Sequence, residues 1–296
     1  MPTFKLSDGC SLHYEDTGYS TSATTKTVVM CHGWSASSKS FDPVVSLIKE
    51  RHQHIRVLRL DQRWHGRSSR TPGEHSVPLM ARDLTEFIDG ILMGEEGEKP
   101  VIVVGTSLGA AVIWAYIQAG KAGRLAGAAF VDQSPCQWRL SDWTEGCSKG
   151  CYDEDSLKKL KGALDKDMKE FAEGNESCCV TMKLDETLST TLREETMLCK
   201  ADDLASLMDD HARRDWRPVL KSIRNLKCVN YCGTESGVFP IAGTRAVTTL
   251  IGDDCKEVIF DNNSADSGPT SSIGTKRCMF ISRKNTMIHR SATQKF

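Results

Sequence analysis

A serine between two glycines, Gly105-Thr-Ser107-Leu-Gly109, is the pattern in this chain best suited to chemistry. It follows the apolar run Val101-Ile-Val-Val104 and precedes Ala110-Ala-Val-Ile113, so it sits between a buried strand and an apolar helix. A serine in such a turn is lifted above the sheet edge, at the positive end of the following helix. Gly105 and Gly109 form the elbow around it, because a side chain there would strike backbone or helix. The string alone is weak; its strand-to-helix setting gives it meaning. The chemistry it suits is nucleophilic attack on an acyl carbon. Two other motifs close strands at the same edge. Val28-Val-Met-Cys-His32-Gly33-Trp34 leaves the Trp34 backbone N–H placed, with that of Leu108, to hold an oxyanion. Asp61-Gln-Arg-Trp-His65-Gly66-Arg67-Ser68 reads as a turn in which Asp61, Gly66 and Ser68 are structural.

The elements that must position these residues alternate. Strands are expected at 27–31, 54–60, 100–104, 124–131, 228–232 and 256–260, with helical patterns at 42–48, 79–92, 108–119 and 244–251. Short β-branched runs bounded by Pro and Gly suit strands buried on both faces. The fold class is α/β, a mostly parallel sheet flanked by helices, with any site along the C-terminal strand edge. From about Trp138 to Ile223 no strand is expected. Helices read at 155–171, capped by Asp153 or Asp155 and stopped by Gly174, and at 185–198 and 201–214. Over 151–220 there are 17 acidic and 11 basic side chains, a solvated helical insertion where a cap would sit. The organisation is a core of 1–137 and 224–260, a helical cap of 138–223, and an atypical tail of 261–296.

At 296 residues, with 39% hydrophobic and 26% charged residues, the chain can bury a large core and is not disordered. Thirty-eight Lys and Arg against 39 Asp and Glu leave no basic field for nucleic acid or anionic lipid. No membrane-spanning run and no apolar leader is read, so a cytoplasmic location is expected. The 12 cysteines show no paired C-x-x-C and no histidine at finger spacing; they read as reduced thiols rather than disulfides or a zinc site.

His32-Gly-Trp34, Asp61…Gly66-Arg-Ser68, Gly105-Thr-Ser-Leu-Gly109 and Val131-Asp-Gln-Ser-Pro135 occur in order and at familiar spacing. Together they resemble the α/β-hydrolase superfamily, of the AB hydrolase-1 type, in the branch of non-haem haloperoxidase-like esterases and lactonases. The resemblance covers about residues 3–260. It implies a Ser–acid–His order along the chain, no metal or organic cofactor, a cap after the sixth strand, and a small-molecule ester or lactone as substrate. No residue implies peroxidase chemistry. The alternative is a non-catalytic ligand-binding or interaction protein on the same fold.

The resemblance leaves the acid open. Its usual position falls on Ser236, one residue after Glu235, whereas some hydrolases of this fold take the acid after the sixth strand, here Asp132. It places the histidine just after the last strand, where none stands; the only later one is His289. Of the rest, His13, His52, His54, His75 and His211 read as surface residues, and His32 and His65 as parts of turns. The tail from Ser264 holds ten Ser and Thr and no helical period, and is expected to be poorly ordered.

Overall fold

The computed structural model describes residues 2–18, 26–92, 99–146, 152–181 and 183–261. The six expected strands are all present: β3 (Lys26–Cys31), β4 (Ile55–Leu60), β5 (Val101–Thr106), β6 (Leu125–Val131), β7 (Cys228–Gly233) and β8 (Cys255–Phe260). Two more precede them, β1 (Thr3–Lys5) and β2 (Ser11–Asp16). The sheet runs β1-β2-β4-β3-β5-β6-β7-β8, parallel from β4 to β8 and antiparallel at β1 and β2. The parallel strands therefore present their C-terminal ends along one edge.

Both faces carry helices. On one face α2 (Val77–Leu92), α3 (Leu108–Gln118) and α9 (Ile241–Ile251) join strand residues in one core with Phe87, Trp114 and Phe130 near its centre. Every residue of α3 from Leu108 to Tyr116 is buried, which is why its sequence shows no polar face. On the other face α1 (Asp42–Arg51) packs Val44, Val45 and Ile48 on β3 and β4.

Among the described residues five helices lie between β6 and β7. The expected helix at 155–171 is two: α4 (Glu154–Lys166) and α5 (Met168–Cys179). Asp153 caps the first in a capping box with Ser156. Asp167, extended at φ −163° and ψ 110°, breaks the pair and caps the second by accepting from the Lys169 and Glu170 N–H groups. The helix then runs through Gly174, whose cost of about 1 kcal/mol does not stop it. α6 (Glu186–Met197) and α7 (Ala201–Arg213) follow, while α8 (Arg217–Ser222) packs on α3 and α9. Among the described residues the cysteines are free thiols, most of them buried.

Candidate active site

Ser107 stands between β5 and α3 at φ 50° and ψ −120°, a region that L-residues other than glycine rarely occupy. Its neighbours hold it there. The Ser107 N–H donates to the Val131 carbonyl (2.9 Å), and its own carbonyl accepts from Ala110 (2.8 Å). A Cβ on Gly105 would lie 2.4 Å from the Gly109 carbonyl carbon, and one on Gly109 would lie 2.1 Å from the Cys31 oxygen. Both glycines are therefore set by close packing of β5, α3 and the end of β3. A Cβ on Gly33 would sit 3.4 Å from that of Ser107, so the His32-Gly33-Trp34 segment borders the serine side chain. Among the described residues neither the Trp34 nor the Leu108 backbone N–H has an acceptor. Leu108 opens α3, where such groups are free by geometry.

Asp132 is the matching residue on the next strand, since Thr106 pairs with Val131 in register. It too has a positive φ, 48°, and its N–H donates to the Tyr231 carbonyl. Its carboxylate is buried. One oxygen accepts from the Ser236 hydroxyl (2.8 Å); the other, Oδ1, has no partner among the described residues. Burial pushes the Asp132 carboxyl up to about 7, offset in part by the Ser236 hydrogen bond. Ser236 also accepts from the N–H groups of Val238 and Phe239. Glu235, beside it, is exposed. The structure thus brings Ser107, Asp132 and Ser236 to one edge, with Glu235 exposed on the same loop as Ser236. The Ser236–Asp132 contact is absent from the sequence reading because its partners lie 104 residues apart.

The histidines need one revision. His13, His52 and His211, expected at the surface, are buried; β2, the end of α1 and the α7 core face hold them. His211 meets the Gln137 amide at 2.7 Å, and burial pushes its imidazole down to about 4. His32 is fully buried and spent on structure: Nε2 accepts from the Gln62 N–H (2.9 Å), and Nδ1 donates to the Gly33 carbonyl (2.8 Å). His65 packs against it at 5.0 Å with Nδ1 donating to the Arg63 carbonyl, and burial pushes it down to about 3. His75 stacks on Trp64 and meets Asp203. None of the seven described histidines hydrogen-bonds Ser107 or Asp132; His289 lies outside the described residues, as does the tail from 262.

Asp61, Gly66 and Ser68 form the expected turn. The Asp61 carboxylate accepts from the Ser38 and Arg67 N–H groups, and a Cβ on Gly66 would fall 2.2 Å from it. Burial opposes ionisation of Asp61, but His32 nearby and these N–H donors hold its carboxyl below the ordinary range. The turn also anchors the helices above: Arg67 grips the buried Glu195 of α6 through two bonds of 2.8 and 2.7 Å. The Trp34 indole donates to the Leu204 carbonyl of α7 and meets Phe171 of α5 edge-on, while Asn175 and Thr196 bond Ser35. The segment beside Ser107 is thus fastened to three of the helices between β6 and β7.

Among the described residues no cluster of His, Cys, Asp and Glu could hold a metal ion, and no helix is long and apolar enough to cross a membrane. Comparison with known proteins agrees with the geometry. An esterase from Exiguobacterium antarcticum superposes with a TM-score of 0.77 at 18% identity, covering 88% of this chain and 90% of that one. The enol-lactonase from Burkholderia xenovorans LB400 gives 0.71 at 18% identity, covering 88% and 91%. At these identities the likeness is one of fold. In sequence, a non-heme haloperoxidase from Rhodococcus erythropolis is 29% identical over 135 residues, 46% of this chain and 45% of that protein. A non-heme chloroperoxidase from Streptomyces lividans is 32% identical over 155 residues, 52% of each. The chain thus aligns with about half the length of the curated relatives it matches. A model of the Alpha/beta hydrolase family matches residues 28–223, which takes in most of β3, the Ser107 turn, Asp132 and α4 to α8. With more than half of its length matched, and non-haem haloperoxidases among its sequence relatives, this chain belongs to the α/β-hydrolase family.

Proposed function

We propose that the chain is a serine hydrolase of carboxylic esters or lactones, with Ser107 as nucleophile and residues 138–223 as the cap over it. The observation that carries this reading is the strained Ser107 turn, beside Gly33 and one strand from the buried Asp132. In the proposed reaction the Ser107 hydroxyl oxygen bonds to the acyl carbon as its proton passes to an imidazole. The Trp34 and Leu108 N–H groups hold the resulting oxyanion. Collapse expels the alcohol, which takes the proton from the imidazolium, and water then releases the acid by the same route.

Asp132 is the acid of this scheme rather than Glu235. It is buried on the correct edge, and its free Oδ1 can accept from an imidazole N–H. The base of this scheme is His289, the one histidine that follows the last strand in the sequence, which lies outside the described residues. A fluorophosphonate probe followed by mass spectrometry tests the nucleophile: the adduct is expected on Ser107 of folded protein, and its absence sinks the claim. Turnover of a short-chain p-nitrophenyl ester should fall at least about 1000-fold in Ser107→Ala and in His289→Ala.

The lack of a histidine on Ser107 or Asp132 among the described residues favours one rival, a non-catalytic ligand-binding protein on this fold. Ligand-dependent thermal stabilisation with no Ser107-dependent turnover would establish that rival. Turnover lost in Ser107→Ala would exclude it.

A further inference from the structure

The loop after β7 approaches Asp132 from the neighbouring strand. β6 and β7 run parallel with Val131 opposite Tyr231, so Asp132 and the 234–240 loop leave the sheet side by side. Gly237 seats that loop against α5: a Cβ there would fall 1.9 Å from the Cys178 carbonyl oxygen. Ser236 stands just before it. Its Oγ accepts from the Val238 and Phe239 N–H groups at 3.2 and 3.1 Å and donates to Asp132 Oδ2 at 2.8 Å. A hydroxyl has one proton and two lone pairs. Two N–H groups aimed at the oxygen turn its proton the other way, toward Asp132.

What that bond does follows from the rest of the carboxylate's surroundings. The last torsion of an aspartate is broad, so burial alone does not fix which oxygen faces which way. Ser236 fixes it: Oδ2 is held, and Oδ1 has no partner among the described residues. Charge is the second matter. Asp132 is buried, and no Lys, Arg or His among the described residues pairs with it. The titratable groups that interact with it are the thiols of Cys179, at the end of α5, and Cys232, on β7. Desolvation of the sulfur pushes both up, although Cys179 as a whole residue stays exposed, so neither is charged near neutral pH. Glu235, on the Ser236 loop, is exposed. The Ser236 hydroxyl is therefore the one described side chain that favours the ionised form of Asp132.

We propose that Ser236 is the positioning residue of Asp132, holding the carboxylate by Oδ2 so that Oδ1 alone is presented to the base. It touches no reacting atom and acts only through Asp132. Its second effect is to let Asp132 ionise at lower pH than burial by itself would allow. The role rests on the reading of Asp132 as the acid of a serine hydrolase, but the bond itself is tested without activity.

The thermal midpoint of the full chain is followed from about pH 5 to about pH 9, with and without Asp132→Asn, in three backgrounds: unsubstituted, Ser236→Ala and Ser236→Thr. The gain from Asp132→Asn should grow until Asp132 is ionised, which is near pH 7 in the unsubstituted chain. In Ser236→Ala it should go on growing for about one pH unit more, because a carboxyl that loses a donor keeps its proton longer. Ser236→Thr keeps the hydroxyl and should bring the end point back. End points that coincide in all three backgrounds overturn the proposal, as does a Thr variant that follows the Ala one. Turnover of a p-nitrophenyl ester reads the role separately. In Ser236→Ala the rise of kcat with pH should come about one pH unit later, with KM little changed. A loss of the same size at every pH would mark Ser236 as structural only and overturn the proposal. Absence of Ser107-dependent turnover in the unsubstituted chain would count against the hydrolase reading alone, and the midpoint series would still decide whether Ser236 governs Asp132.

Discussion

Ser107 holds a side chain where glycine would sit without strain, and Asp132 does the same one strand away. Strain of this kind costs on the order of 1 kcal/mol per residue and persists because the surroundings fix it. Ser107→Gly is therefore expected to raise the thermal midpoint relative to Ser107→Ala by about 1 kcal/mol of stability. Equal midpoints in calorimetry would mean that the turn is unstrained. Gly109→Ala works in the other direction. Its Cβ would meet the Cys31 and His32 carbonyl oxygens at 2.1 and 2.9 Å, so a loss of about 2 kcal/mol or more is expected, read by urea unfolding. Asp132 predicts a pH dependence. Unfolded, it ionises near 3.8; folded, burial keeps its proton on up to about 7. Between those values the folded state binds more protons, so Asp132 lowers stability as pH rises from about 4 to 7. Asp132→Asn removes that decline, and its advantage in thermal midpoint should grow across that window and then level off. An advantage that shrinks instead would reveal a cation seated at Oδ1.

At the scale of elements, the parallel strands were readable because burial on both faces leaves continuous β-branched runs between Pro and Gly. β1 and β2 were not: β1 is a three-residue edge strand, and β2 is half polar, as in Ser-Leu-His-Tyr-Glu-Asp. The Ser107 turn was legible from the five residues Gly105–Gly109 and the apolar runs on either side, whereas the Ser236–Asp132 bond depends on two strands meeting late in the chain. The break at Asp167 escaped because an aspartate in a helical pattern reads as a surface residue until its cap bonds are seen. The fastening of the cap was equally hidden, since Arg67 and Glu195 are 128 residues apart. Arg67 is about one-third exposed and Glu195 is buried, so solvent screens the pair on one side only. Arg67→Ala should cost about 2 kcal/mol, mostly by leaving the Glu195 carboxylate buried without its partner. Adding Glu195→Gln should recover part of that loss in a double-mutant cycle.

Taken whole, the described residues form a mostly parallel sheet with the proposed site on one edge and four helices, α4 to α7, above that edge. The fastenings between them are not hinges at the rim. Trp34 and Ser35, one and two residues past Gly33, are themselves the points to which α5, α6 and α7 are tied. If α4 to α7 form the proposed cap, lifting it would pull on the segment that would hold the oxyanion. On the proposed reading, arrival of substrate and departure of product would then disassemble and rebuild the reaction site at every cycle. The rate of that exchange, more than bond-making at Ser107, would then limit turnover of bulky esters, which must wait for the wider openings. A cap loosened by Arg67→Ala should consequently turn such esters over faster at saturation while losing stability, whereas small acetates, admitted through brief openings, should be processed little differently.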